Sequence, residues 1–476
     1  MAIISDKYDS IIIGAGLSGL ATGIRLAQFG QKVLLLEKHY VIGGLNSFYN
    51  RLGRRIDVGL HAITNFVKKG ITGSPLSKLL RQLRISHDSL ELSEQKSSKI
   101  LLNQLVVKFN NDFSLLESEI SRLFPQAMDR FKKLVEMIKA YNPFAETSDY
   151  ISARSILSEI LNNRELEDIL LLPTSYYGSA RENDMDWRQF VIMFRSIFLE
   201  GFARPFDGIK KILQLLITKF NELGGEKKLR CAVKKIETIN GKASGVVIDN
   251  DRFIEANHII STIGHAETMK LCYSANTNDN KIVGKLSFCE AIAMFDGQPS
   301  DFGWDDTIIF FEEKNHFEYR TPTNMADTSS GVICMPNNFN YQNGMKLNEG
   351  MLRVTALASY DAWKSAPIDD YSENKSRWFN ALIDKAISIL TRDREGFNRQ
   401  SFLKKIIDID FFTPLTIERF TGHQNGAIYG SPNKIYSGLL PIENLYLCGT
   451  DQGFLGIVGA MLSGVSIANN HILSKS

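Results

Sequence analysis

The feature that most limits what this chain can fold into lies near its start. Tyr8 to Ile13 is a β-branched run that reads as a buried strand. It leads into Gly14-Ala-Gly16-Leu-Ser-Gly19, and Leu20, Ile24 and Ala27 then mark the apolar face of a helix stopping near Gly30. A second strand, Lys32 to Leu36, ends in Glu37. This is the βαβ unit of a dinucleotide site. Gly14 permits the tight turn, Gly16 lets the backbone approach a pyrophosphate, and Gly19 lets helix and strand pack. The helix N-terminus offers unpaired N–H groups to the phosphates. A carboxylate at Glu37 suits ribose hydroxyls and disfavours a 2′-phosphate.

With 476 residues, 44% hydrophobic and 23% charged, the chain can bury the core of two large domains or three smaller ones. Lys and Arg total 55 against 53 Asp and Glu, a net charge of +2 that argues against nucleic acid as a partner. The cysteines (Cys231, Cys272, Cys289, Cys334, Cys448) are scattered and form no CxxC pair, so neither a disulfide framework nor a zinc site is expected. Buried thiols and the absence of a leader-like segment point to a cytoplasmic protein. Ile11 to Leu26 and Gly453 to Ala468 are apolar but short and glycine-rich, and neither reads as a membrane span.

Gly43-Gly44 follows Glu37 after a short spacer, a pair that a simple nicotinamide dehydrogenase does not need. With it the pattern resembles the flavoprotein group that includes amine oxidases and phytoene desaturases, in which the pair lets the chain pass close to FAD. Leu45-Asn46-Ser47-Phe48 stands where amine oxidases commonly carry Arg, and Ile56-Asp57-Val58-Gly59-Leu60-His61 follows. These runs are similar to the retinol saturase and carotenoid isomerase branch of the phytoene desaturase family.

Later segments carry the same resemblance. Gly208 to Gly225 reads as an amphipathic helix, followed by a hairpin (Ala232 to Ile239, turn Asn240-Gly241, Ala243 to Ile248) and a strand from Phe253 to Ile263 ending in Gly264. Phe412 to Gly430 (FTPLTIERFTGHQNGAIYG) is close to the family's T-P-x-T-x-E-R-[FY]-T-G segment, and Leu445 to Gly464 (LYLCGTDQGFLGIVGAMLSG) reads as a strand, a glycine crossover and a helix starting near Val458-Gly459-Ala460.

The resemblance implies an α/β fold. A Rossmann-like FAD-binding domain is built from discontinuous segments (1–66, 205–265, 410–476), interleaved with an antiparallel-sheet substrate domain (67–112, 266–409) and a helical cap (113–204). It implies cofactor contacts at Gly14, Gly16, Leu17, Ser18, Gly19, Glu37, Lys38, Gly43, Gly44, Leu45, Asn46, His61, Val233, Thr262, Gly264, Gly449, Asp451, Val458, Gly459 and Ala460. For acid–base work the candidates are His61, Glu418, Arg419 and Tyr429, which fall in turns expected near the ring. His61 also reads as a loop tie, and Glu418-Arg419 as an internal ion pair.

The stretch Phe190 to Phe206 is strongly aromatic. It reads as a buried core helix, or as a lipid channel or membrane-docking surface with Arg195 and Arg204 near anionic headgroups. No second nucleotide fingerprint appears, so electrons reach or leave FAD through an external partner: a quinone, O2 or a reductant. The expected activity is desaturation, saturation or cis–trans isomerisation of a hydrophobic polyene or isoprenoid lipid, by hydride transfer at flavin N5 and with peripheral membrane contact. An amine oxidase or protoporphyrinogen oxidase-like enzyme, or a non-catalytic flavin- or lipid-binding protein, is the alternative.

Overall fold

A computed structural model describes residues 5–143, 150–273, 281–392 and 394–475. Two seven-stranded sheets organise them. In the first, Glu226–Lys228, Val33–Leu36, Lys7–Ile13, Phe253–Ser261 and Leu445–Leu447 lie side by side and parallel. The hairpin Val233–Ile239 and Lys242–Ile248 pairs antiparallel with the opening half of Phe253–Ser261. Its turn works because Asn240 (φ 51°) and Gly241 (φ 79°) both take left-handed backbone.

Alternation along the central strands fills two cores. Ile12, Leu35 and Ile260 face the helices Leu17–Ala27, Pro75–Leu83, Ile209–Glu222 and Gly456–Ile467, whereas Ile11, Leu34 and Ile259 face the hairpin side. Burial on both faces explains why these strands read as continuous apolar runs.

The second sheet runs in the order Ile406–Phe412, Ser287–Phe295, Gly350–Ala358, Ser330–Cys334, Ile308–Glu312, Ser98–Leu102, Leu105–Phe109. It is antiparallel except where Ser98–Leu102 lies parallel to Ile308–Glu312. One face (Ala291, Phe311, Val354) packs on the helix Tyr371–Leu390. The other (Phe288, Phe310, Leu357) packs on the helices Phe113–Leu123, Met128–Ala140, Ala153–Leu161, Arg164–Gly178 and Trp187–Phe194.

The chain thus crosses between the sheets repeatedly. The strand Ile406–Phe412 straddles the expected boundary at 410 and belongs to the second sheet. The helix Pro75–Leu83 packs with the first sheet's helices although it falls in the segment expected to serve the second.

The aromatic stretch is core. Phe190, Phe194, Phe198 and Phe202 are each at most 1% exposed. Arg195, in a π-helical turn, donates to the carbonyls of Ile138, Lys139 and Tyr141 at the end of a neighbouring helix, and Arg204 is paired with Asp57. Their charges serve protein acceptors, so of the two readings of this stretch the buried core is the one observed. Among the described residues no helix is long and apolar enough to cross a membrane.

Candidate functional site

The glycine turn has the form its spacing demands. Gly14 has φ +102° and donates to Leu36 O at 2.8 Å. A Cβ on Gly19 would collide with the carbonyl oxygen of Gly14, so helix and strand touch through it. A Cβ on Gly16 would meet nothing within 4 Å, and its φ of −71° suits any residue. The turn therefore keeps open space beside Gly16, at the start of a helix whose N-terminus has no side-chain cap.

Gly43 bridges to Gly16 and donates to Ala15 O at 2.9 Å, so the second glycine pair lies against the first motif. Leu45 and Asn46 complete its 3-10 turn, Asn46 donating to Gly43 O. Glu37 is nearly buried and its oxygens accept from Ala15 N and His39 N, both at 2.8 Å. Lys38 is exposed, with its ammonium beside Gly422. Cys231 donates to Glu37 O, which brings the start of the Val233 strand to the same edge. Thr262 donates through N and Oγ1 to Ile13 O, each at 3.0 Å, closing the turn from the other side. Gly264 starts the following helix with φ +108°.

The crossover from the last strand meets this group. Gly449 donates to Ser463 Oγ at 2.6 Å, and a Cβ on it would sit 3.0 Å from Ser18 Oγ. The helix starts at Gly456, with Val458, Gly459 and Ala460 in or next to its first turn and again no side-chain cap. Asp451 is buried and accepts from His265 N at 2.6 Å and Ser431 N at 2.7 Å, with Lys434 at 3.7 Å. Its carboxylate thus clamps three loops at the crossover, as the Glu37 carboxylate is held by two amides at the first turn. Burial pulls Lys434 down to about 8 against the pull of Asp451.

Two uncapped helix N-termini, a glycine with open space and a fixed carboxylate fit FAD. The Leu17–Ala27 end and Gly16 would hold the pyrophosphate, Glu37 the ribose, and the Gly456–Ile467 end the flavin.

His61 is the centre of a buried network. Its Nε2 lies 2.8 Å from Glu290 Oε1 and 3.1 Å from Thr355 Oγ1. Glu290 also receives a two-pronged bond from Arg353, Nε to Oε1 at 2.8 Å and Nη2 to Oε2 at 2.7 Å. Arg353, fully buried, donates further to Leu60 O and Val58 O. Arg204 donates to Leu60 O and to Asp57. The D-x-G-x-H turn is thus held by two arginines. Burial alone would raise Glu290, but Arg353 and His61 outweigh it and hold the carboxyl at about 2. Burial lowers His61 in spite of Glu290, keeping the imidazole neutral. With Glu290 ionised, Nε2–H is the donor and Nδ1 carries the lone pair.

The other expected acid–base residues are not brought to this network. Glu418 accepts from Tyr360 Oη at 2.7 Å, and Arg419 is exposed with its guanidinium 5.4 Å from the Phe420 ring centroid, so the two do not pair. Tyr429 donates to Tyr176 O at 2.5 Å, and burial raises its hydroxyl well above the usual range. Cys448 is a buried thiol pushed up to about 12, a packing residue.

Glu290, Arg353, Thr355 and Tyr177 escaped the sequence reading. Glu290 and Arg353 carry a visible signal, since each is a lone charge inside an apolar strand, SFCEAIAMF and GMLRVTALA. Only strand pairing, which sets Glu290 opposite Thr355 and Ile292 opposite Arg353, shows that they share a face.

Residues 17–372 match the family described as flavin containing amine oxidoreductase. The chain is 21% identical to an all-trans-retinol 13,14-reductase of Danio rerio, over 99% of this chain and 87% of that protein. It is 25% identical to a chloroplastic prolycopene isomerase of Daucus carota, over 98% and 80%. An oxidoreductase of Methanosarcina mazei, 17% identical, shares the fold with TM-score 0.65 over 97% of this chain and 100% of its own.

Proposed function

Because this chain belongs to the flavin-containing amine oxidoreductase family, an FAD enzyme group, we propose that it acts on carbon–carbon bonds of a hydrophobic polyene or isoprenoid lipid, as a desaturase, saturase or cis–trans isomerase. The observation that carries this reading is the packing around His61. It is aromatic, with the buried Tyr177 ring against Phe202 and Phe310, and its buried charges are paired with each other, Glu290 with Arg353 and Asp57 with Arg204. Relatives spanning nearly the whole chain are named for reactions on retinol and prolycopene, which supports the same class.

FAD, when bound, supplies hydride acceptance or donation at N5. The protein's part is to orient and to exclude water. Arg353, Glu290 and Arg204 fix the His61 turn, and the uncapped N-terminus of Gly456–Ile467 would offer N–H groups to a bound flavin. A polyene is insoluble in water, so the reading includes peripheral contact with a lipid surface from the cytoplasmic side, and exchange of electrons with an external acceptor (a quinone or O2) or a reductant. Liposome co-sedimentation tests the first.

The main test is an anaerobic flavin spectrum of FAD-loaded protein during titration with a polyene lipid extract, then dithionite. Bleaching by the extract alone identifies a desaturase. Products formed only after dithionite identify a saturase (two added hydrogens) or an isomerase (unchanged mass). The family match also favours amine oxidation, and rapid bleaching by a small amine with none by lipid would replace the polyene reading.

A further inference from the structure

Between Asp57 and Asp88 the chain carries five Lys and Arg residues and no Asp or Glu. The helix Pro75–Leu83 lies in this run. Its inner positions, Leu76, Leu79, Leu80 and Leu83, are buried, while Lys78, Arg81 and the capping Arg84 are exposed. Three residues apart, these charges form one stripe along the helix. None of the three makes an ion pair among the described residues, whereas Lys68 and Lys69, ahead of the helix, pair with Glu94 and Asp88.

An exposed apolar side chain stands at each end of the stripe. Ile71 is 52% exposed, and its carbonyl accepts from Ser77 Oγ at 2.5 Å, which fastens its loop to the first turn of the helix. At the other end Arg25 donates to Gln82 O at 3.5 Å and lies 4.6 Å from the ring centroid of Phe29, itself 55% exposed. Burial, and then the like charge of Arg84, holds Arg25 below its ordinary value. Behind the stripe the wall is apolar. Leu79, Leu80 and Leu83 share a cavity of about 20 Å³ with Ile457, Val458 and Met461, and its lining is Ile, Leu, Val and Met throughout. The last three belong to Gly456–Ile467, the helix assigned to the flavin, so the basic face lies one helix away from it.

We infer that this face, from Ile71 along Lys78, Arg81 and Arg84 to Phe29, is the surface by which the enzyme docks on an anionic lipid bilayer. The inference rests on the lipid contact proposed above and names the face that makes it. Anionic headgroups neutralise a stripe that has no acid of its own. Ile71 and Phe29 leave water for the headgroup layer. A bilayer seated here presents its lipids on the side where apolar residues back the surface as far as the flavin helix.

The test sediments the FAD-loaded full chain with vesicles of phosphatidylcholine, alone or mixed with phosphatidylglycerol. The parent protein is expected to bind the mixed vesicles and to lose most of that binding in high salt. Lys78→Ala with Arg81→Ala is expected to weaken binding roughly thirtyfold, and Ile71→Ser roughly tenfold. Lys132→Ala with Lys133→Ala, an exposed pair on the helix Met128–Ala140, is expected to change nothing. Every side chain altered is exposed, so flavin content stays at the parent level. Vesicle binding that the stripe variants leave intact overturns this face while lipid contact stands. Equal weakening by the Lys132 and Lys133 pair, or equal binding to both kinds of vesicle, also overturns it. A parent protein that sediments with neither vesicle overturns the lipid contact and the face together, and makes an acidic protein or a second copy the partner of the stripe.

Discussion

The two sides that meet at the Gly456–Ile467 helix are built by opposite means. The nucleotide side is mostly backbone: glycines, uncapped helix ends, and one carboxylate gripped by two amides. The reaction side is mostly side chains, His61, Glu290, Arg353 and Tyr177, drawn from a loop, two strands and a helix far apart in the chain. A backbone site is defined by where a Cβ cannot go. A side-chain site is defined by which charges and donors find each other.

The largest expected effect separates two glycines of the same motif. Gly16→Val should leave folding stability within about 0.5 kcal/mol, because its Cβ enters open space at an ordinary φ, yet abolish flavin retention. Gly19→Val should cost about 3 kcal/mol, since its Cβ meets backbone. Denaturant melts of the apo-proteins and flavin absorbance after reconstitution read both. Flavin retained by folded Gly16→Val breaks the contrast.

Next in size is the buried ion pair. Arg353→Met should destabilise by about 3–5 kcal/mol by stranding Glu290. Adding Glu290→Leu should recover part of that, because no charge is then left alone. If urea melts show additive losses, the two residues are not one unit.

Two carboxyls give opposite pH dependence. Glu290 is held at about 2 when folded, so its contribution is complete above the unfolded carboxyl value of ~4.3 and lost as pH falls through about 2. Glu200, within the aromatic stretch, is pushed by burial up to about 7 against a bond from Asn65. Its contribution is complete below ~4.3 and lost as pH rises through about 7. Glu200→Gln should flatten stability between those limits, and Glu290→Gln should flatten only the acid side. Chemical melts across pH decide it.

The smallest effect concerns Arg419. Being exposed, Arg419→Ala should change stability and flavin reduction by no more than about 0.5 kcal/mol equivalent. A large loss of flavin reduction would return it to the reaction side.

This contrast also explains what could be read from the chain. Gly14, Gly16, Gly19, Glu37 and Gly43 sit close together in sequence, and their roles follow from local geometry: a positive φ, a missing Cβ, a strand tip. The hairpin turn at Asn240-Gly241 and the strands Lys7–Ile13, Val33–Leu36 and Phe253–Ser261 were legible for the same reason, since periodicity and turn chemistry are short-range, whereas Glu226–Lys228 and Ile406–Phe412 were not. Asp451 is legible as a crossover residue, but nothing local shows that His265, Ser431 and Lys434 hold its carboxylate. The aromatic stretch could be read as core or as lipid surface, and only packing put Phe194 and Phe198 inside.

The sequence by itself determined the dinucleotide fold, because backbone sites depend on steric rules within a few residues. Only the tertiary structure decided the reaction side. A charge such as Arg353 in an apolar strand has no meaning until sheet register brings Glu290 within bonding distance of it and of His61, and only packing leaves the Tyr177 hydroxyl buried with no partner among the described residues.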